Sequence, residues 1–229
     1  MSVKILNFLH KLAFARHPSA YLLLAQLISL VLYAAFDDAP RGRALIGAFG
    51  VLLVVLVVLV VNHSPSVNWI AWILAALSVA LSLSSWLSGD AALLVWAVLF
   101  EAVLYFYAAS GLIAYMMGDY SVTVDELFAA GATFTLFAWG FAFLYLICEA
   151  WFPGCFTGGP EPERARTFVE LLGLSFTNLS ATGLGDILPV TAPARVLVML
   201  EQFTGVGYVV MVVSRLIGMT STRQGQRQP

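Results

Sequence analysis

The sequence predicts an all-α integral membrane protein with six transmembrane helices and a short re-entrant helix between the fifth and sixth. Two observations carry this. Hydrophobic residues make up 61% of the 229-residue chain and charged residues 10%, with a mean hydropathy of +0.91, whereas a soluble globular domain carries roughly 25% charged residues. The apolar residues also gather into stretches of the length needed to cross a bilayer, about 20 residues each. A net charge of −2 and the lack of any Lys/Arg-rich run leave no basic face for nucleic acid. No Ser/His/Asp order, phosphate loop or pair of catalytic carboxylates stands out, so the sequence gives no sign of an enzyme and calls for no cofactor.

Read in order, Met1 to Pro18 carries Lys4, Lys11 and Arg16 but no sustained apolar run or small-residue cleavage site, so it is expected to stay on the protein as a basic interfacial segment. Six spans follow: Tyr21 to Phe36, Arg43 to Val61, Trp69 to Leu87, Ala91 to Met117, Leu127 to Phe152 and Pro193 to Met219. Trp69, Trp72, Trp86 and Trp151 near span ends suit interfacial anchoring. The positive-inside rule puts the N-terminal Lys and Arg residues in the cytoplasm, and six crossings return Arg215, Arg223 and Arg227 to the same side. Arg41, Arg43, Arg164 and Arg166 follow that rule less cleanly. Asp119, Asp125 and Glu126 lie in the linker before the fifth span and are expected to form a solvated face.

The longest connection, Pro153 to Ala192, holds an apolar segment, Phe168 to Leu179, that is too short to cross. Thr167 and Glu170 form a capping box that starts a helix there. This helix should end near Asn178 to Ser180, leaving a partial negative charge and unpaired carbonyls at its C-terminus. Next comes Ser180-Ala181-Thr182-Gly183-Leu184-Gly185-Asp186. Glycines at alternate positions open backbone conformations that let successive carbonyls face one way and replace an ion's hydration shell. Irregular backbone at membrane depth is tolerated where it is buried in protein or lines a polar cavity.

From Thr167 to Gly218 the sequence resembles the potassium-channel pore family, whose filter reads Thr-Val-Gly-Tyr-Gly followed by Asp. Pro189 falls at the post-filter proline, Arg195 at the arginine that opens the inner helix in many members, and Gly205 at the inner-helix glycine. The run Ser175 to Ser180, with Glu201, Gly205 and Ser214-Arg215-Leu216, resembles bacterial six-helix relatives. The departures are specific. Ala181 replaces the Thr whose hydroxyl completes the innermost ion site, Thr182 replaces Val, and Leu184 replaces Tyr, as in some second pore loops of two-pore-domain potassium channels. Gly173 and Leu174 stand where many members brace the filter with Trp. The resemblance therefore implies cation permeation with a weaker inner site and a looser cuff.

The resemblance divides the chain into the N-terminal segment (1–18), a peripheral four-helix bundle (19–126), a pore domain of outer helix, pore helix, filter and inner helix (127–219) and a cytoplasmic tail (220–229). It implies a passive cation channel in the cell membrane, with both termini cytoplasmic and potassium as the expected permeant ion, sodium being the alternative. A weakly selective channel and a non-conducting scaffold are the rival readings. One motif per chain cannot close a ring of carbonyls, so a homotetramer surrounded by lipid is implied. Ala181 to Gly185 would bind the ion, while Asp186, Glu149 and Thr177 would support the filter. Gly205 and Gly207 read equally as a gating hinge or as close-packing positions. The fourth span has no Arg or Lys to sense voltage, although each charge would contribute about 2.3 kcal/mol per 100 mV. It carries Glu101 instead, read either as a bond between helices or as a proton sensor. Glu201 either faces the cavity or packs behind the pore helix. His10, His17 and His63 lack metal-ligand spacing, and Cys148 and Cys155 are read as free thiols, with Cys155 open to oxidation in an extracytoplasmic turret.

Overall fold

Helix signals in this chain are local and strong, and they set most of the architecture. The computed structural model describes residues 18–36, 50, 53–59, 68–118, 123–159 and 164–225. In chain order the elements are α1 (Pro18–Phe36), α2 (Asn68–Ser88), α3 (Ala91–Met116), α4 (Val124–Trp151), β1 (Phe156–Gly158), α5 (Phe168–Leu179), β2 (Ile187–Pro189) and α6 (Ala192–Gly225). Residues 53–59 are also helical, inside the expected second span. Lys4, Lys11, Arg16, the three histidines, Arg41, Arg43, Asp119 and Arg227 lie outside the described residues, as do the side chains beyond Arg215.

Three of the starts are capped by side-chain oxygens, which satisfy amides that a helix N-terminus leaves open. Asp90 accepts from Ala92 N at 2.9 Å to start α3, and Thr123 accepts from Glu126 N at 3.2 Å to start α4. At α5 the expected capping box is complete: Glu170 N donates to Thr167 Oγ1 at 3.3 Å and Thr167 N to Glu170 Oε2 at 2.7 Å.

Four of these helices, α2, α3, α4 and the 192–215 part of α6, are long and apolar enough to cross a membrane, and α1 contributes a shorter apolar helix. The chain is thus a mostly helical membrane protein. Trp69, Trp72, Trp86 and Trp151 are exposed near helix ends, in keeping with interfacial anchoring. The all-α expectation needs one amendment, because β1 and β2 form a two-stranded antiparallel ribbon pairing Phe156 with Pro189 and Gly158 with Ile187. Gly158 is required there. Its φ is +118°, and a Cβ would lie 1.8 Å from the Asp186 carbonyl oxygen.

Helix α4 is the axis of the fold and packs against α1, α3, α5 and α6. Its middle builds an aromatic core in which Trp139 meets Tyr33, Tyr105, Phe143 and Phe168 at ring separations of 5.4–6.3 Å. Because Phe168 opens α5, this core seats the short helix against the long ones.

Candidate functional site

The site begins where α5 runs out of helix. The Thr177 carbonyl, one of the acceptors such an end leaves free, takes amide bonds from Thr182 at 3.0 Å and Gly183 at 3.2 Å. It also accepts from the hydroxyls of Ser180 and Thr182, both at 3.3 Å. Four donors on one carbonyl fold the loop back under the helix end. The loop from Ser180 to Asp186 is exposed, with Leu184 85% accessible. Its left-handed residues are Ala181 (φ +57°) and Gly183 (φ +64°). Left-handed residues thus do alternate, but the second position is Ala181 rather than Gly185, at a cost of about 1–2 kcal/mol for a residue with a Cβ. Gly185 has no left-handed φ, and a Cβ there would come no closer than 3.4 Å to Thr177 Oγ1.

Behind the loop, the inner helix α6 is fixed to α5 by contacts on one face. Gly205 allows the closest of them, because a Cβ there would lie 2.1 Å from the Leu179 carbonyl oxygen. Close approach therefore accounts for Gly205, while a Cβ at Gly207 would meet nothing within 4 Å. One turn before Gly205, Glu201 is fully buried. Tyr145 of α4 donates its hydroxyl to Glu201 Oε2, and Ser175 of α5 bonds Glu201 Oε1. Glu201 consequently does not face a cavity: it joins three helices behind the pore helix. Ser175 Oγ also donates to the Ala138 carbonyl at 2.7 Å, and Gln202 Nε2 donates to Asn178 Oδ1 at 3.3 Å. The opposite face of α6, including Met199, Phe203, Val206 and Val210, is exposed.

Arg195 donates from Nε to the Pro189 carbonyl at 3.3 Å, linking the start of α6 to the ribbon. Asp186 has an exposed carboxylate and no hydrogen bond from it to α5; its carbonyl accepts from Gly159 N at 3.2 Å. Glu149 reaches the turn after α4, where Oε1 accepts from Gly154 N at 3.4 Å and Oε2 from the Cys155 thiol at 3.2 Å. Arg166, 4% exposed, donates to the Gly158 carbonyl at 2.6 Å and so ties the ribbon to the start of α5.

Away from the loop, Glu101 in the middle of α3 makes no hydrogen bond or ion pair with the described residues. It lines a cavity of about 520 Å³ together with Tyr33, Ser78, Ser82, Trp86 and Phe143. At the opposite end of α4 the expected solvated face is absent, because Asp125 and Glu126 are 6% and 5% exposed. Glu126 pairs with Arg215 of α6 at 3.0 Å, and Asp125 accepts from Ser19 Oγ at 3.0 Å and Tyr115 Oη at 3.3 Å. The linker charges fold inward because each meets a partner that removes the cost of burial.

Sequence reading missed Tyr145, Ser175, Arg166 and the Glu126–Arg215 pair as parts of this framework. A signal existed for the first two: each is a hydroxyl with apolar sequence neighbours inside a hydrophobic helix, and Glu201 is a carboxylate in another, so all three need polar partners.

A short capped helix ending on an exposed loop thus lies between two long apolar helices of a membrane protein, α4 and α6. A family model described as an ion channel matches residues 102–222, more than half of the chain, and the chain belongs to that family, which is of the potassium-channel type. No curated protein and no solved structure matches it. The matched region starts within α3 and runs through α4, α5 and most of α6.

Proposed function

We propose that the chain is one subunit of a homotetrameric passive cation channel, with potassium the principal ion. The observation that carries this reading is the exposed Ser180–Asp186 loop hung on the Thr177 carbonyl, beside an exposed apolar face of α6. Four copies around an axis would bring four loops together, cover these exposed faces and supply a ring of carbonyls from Ala181 to Gly185. The C-terminal end of α5, with its partial negative charge, favours a cation nearby. Six spans with both termini in the cytoplasm, α5 as a re-entrant helix, and the division into peripheral bundle (19–126) and pore domain (127–219) belong to the same proposal. So does gating without an arginine voltage sensor. Purified protein in liposomes should pass cations down their gradient; no flux at any pH, voltage or lipid composition would defeat the reading.

A weakly selective pore is the second reading, and one observation favours it. Space lies open beside Gly173, where a Cβ would meet nothing within 4 Å, and Ala181 has no hydroxyl to offer an ion. Both features loosen the filter's support. Reversal potentials under potassium against sodium decide between the two: Ala181→Thr should shift selectivity toward potassium by roughly tenfold if it restores one ion site of about 1.4 kcal/mol. An unchanged ratio would place selectivity elsewhere in the loop.

A further inference from the structure

We propose that Cys148 and Cys155 form an intramolecular disulfide that anchors the ribbon at the outer end of the filter to helix α4. The two sulfurs lie 3.2 Å apart. Local geometry produces this approach. The Phe152 amide bonds the Cys148 carbonyl at 2.8 Å, the Cys155 amide bonds the Phe152 carbonyl at 3.0 Å, and Gly154 (φ +75°) turns the chain back between them. A disulfide bond of about 2.05 Å needs the sulfurs to close by only ~1 Å, within reach of side-chain rotation. Metal binding is the competing use of paired thiols. Among the described residues, no group of three or more His, Cys, Asp or Glu is placed to hold an ion, and the nearby Glu149 is occupied by Gly154 N and the Cys155 thiol.

Both cysteines are buried, in a cluster with Tyr145, Phe156, Leu171 and Ile187. Burial, and then hydrogen bonding to Cys148 and Glu149, raises the Cys155 thiol well above its ordinary pKa, so the folded protein holds little of the thiolate that exchange requires. The bond therefore forms while the turn is still accessible, during folding on the oxidising side of the membrane. A disulfide-bearing oxidant is the co-reactant. One cysteine thiolate attacks its disulfide and expels a thiolate, and the second cysteine thiolate then attacks the mixed disulfide and expels the other. Two electrons pass to the oxidant, which leaves as two thiols carrying the two protons. The same burial afterwards shields the bond from reductants, which makes it a structural link rather than a reversible switch.

Its position gives it a purpose. The Cys155 carbonyl accepts from Val190 N at 2.9 Å, and β1 pairs with β2, the strand that begins one residue after Asp186. The link fixes the base of this ribbon, and through it the exit of the loop.

The inference rests on the proposed outward placement of the turn, and the experiment tests the two separately. Cells are dissolved in denaturant that contains an alkylating agent and no reductant, and the peptide of the full-length protein that spans both cysteines is weighed. The expected peptide is unlabelled, two hydrogens lighter than the dithiol, and takes up label only after reduction. Label on both cysteines before reduction overturns the disulfide, as does a linkage between chains seen as a reducible dimer. In a Cys148→Ser/Cys155→Ser background, Val190→Cys is probed from outside with an impermeant maleimide. Labelling there together with free Cys148 and Cys155 in the wild type defeats the disulfide alone; no labelling, with the same free thiols, defeats the outward placement as well. As a second readout, reductant under denaturing heat should lower the melting temperature of the wild type and leave the double variant unmoved. Equal behaviour of the two overturns the proposal.

Discussion

The half of the molecule around α5 and α6 and the half formed by α1 to α3 are built on different principles. In the first, polar groups are buried in bonded sets: Glu201 with Tyr145 and Ser175, Gln202 with Asn178, and Arg166 with the ribbon. In the second, apolar and aromatic packing dominates. Buried polar atoms without a hydrogen bond among the described residues occur in both, Tyr105 Oη and Gln26 Nε2 in the second half and Asn178 Nδ2 and Thr191 Oγ1 in the first, and the second also holds Glu101, which makes no hydrogen bond or ion pair with the described residues and lines a cavity. Bonded polar sets fix relative position, because any shift leaves a donor or acceptor unmet. The comparison therefore separates a hydrogen-bonded frame around the loop from a more apolar bundle beside it.

The largest effect should come from Gly205→Ala, which breaks the frame at its tightest point. The added Cβ meets Leu179 backbone, which cannot rotate away, so a loss of about 3 kcal/mol or more is expected, at the upper end of overpacking costs. Thermal melting of the purified protein in detergent measures it. Gly207→Ala is the matched control. It faces open space and replaces a helical glycine, so it should be neutral or stabilising by about 0.5–1 kcal/mol. Equal losses at both positions would refute the packing explanation and return the hinge reading to Gly205.

Arg215→Ala should follow at about 3 kcal/mol, because it leaves Glu126 buried without its charge partner. The pair ties the start of α4 to the distal part of α6, so conductance should also change, through a free inner-helix end. Glu126→Gln combined with Arg215→Ala should recover part of the stability, since no buried charge is then left alone. Failure to recover would mean that the arginine matters through its other contacts.

Glu201→Ala should lose about 2 kcal/mol, chiefly from the Tyr145 hydroxyl left without an acceptor. Tyr145→Phe in the same background should recover part of that loss, because it removes the hydroxyl left unpaired. An additive double variant would show that Glu201 and Tyr145 act separately.

Legibility followed the range of each interaction. Four of the six expected spans, α2, α3, α4 and α6, and the α5 capping box were readable because length, hydropathy and the Thr167–Glu170 spacing are local properties. The Asp125 and Glu126 reading failed because their partners, Ser19 and Arg215, are about 100 residues away in sequence, and charge at a loop edge looks the same whether solvated or paired. Glu201 stayed ambiguous for a related reason: which face of α6 it occupies is decided by Gly205 docking on Leu179. The alternation of glycines correctly placed an unusual backbone at Gly183 but could not assign its companion to Ala181. The ribbon was invisible, since three-residue strands carry no periodic pattern.

The smallest structural effect is expected at Glu101, and it tests the apolar half of the comparison most sharply. A carboxyl bonded between helices would cost about 1–3 kcal/mol to alter. Among the described residues no such bond exists, so Glu101→Gln should change the melting temperature little and shift stability by less than about 0.5 kcal/mol. Its value lies in the second readout. If the cavity beside α3 couples protonation to the pore, the variant will flatten the dependence of cation flux on pH while leaving the flux at its maximum unchanged. A pH profile identical to that of the wild type would remove proton sensing from Glu101, and a large stability loss would show that the carboxyl is bonded.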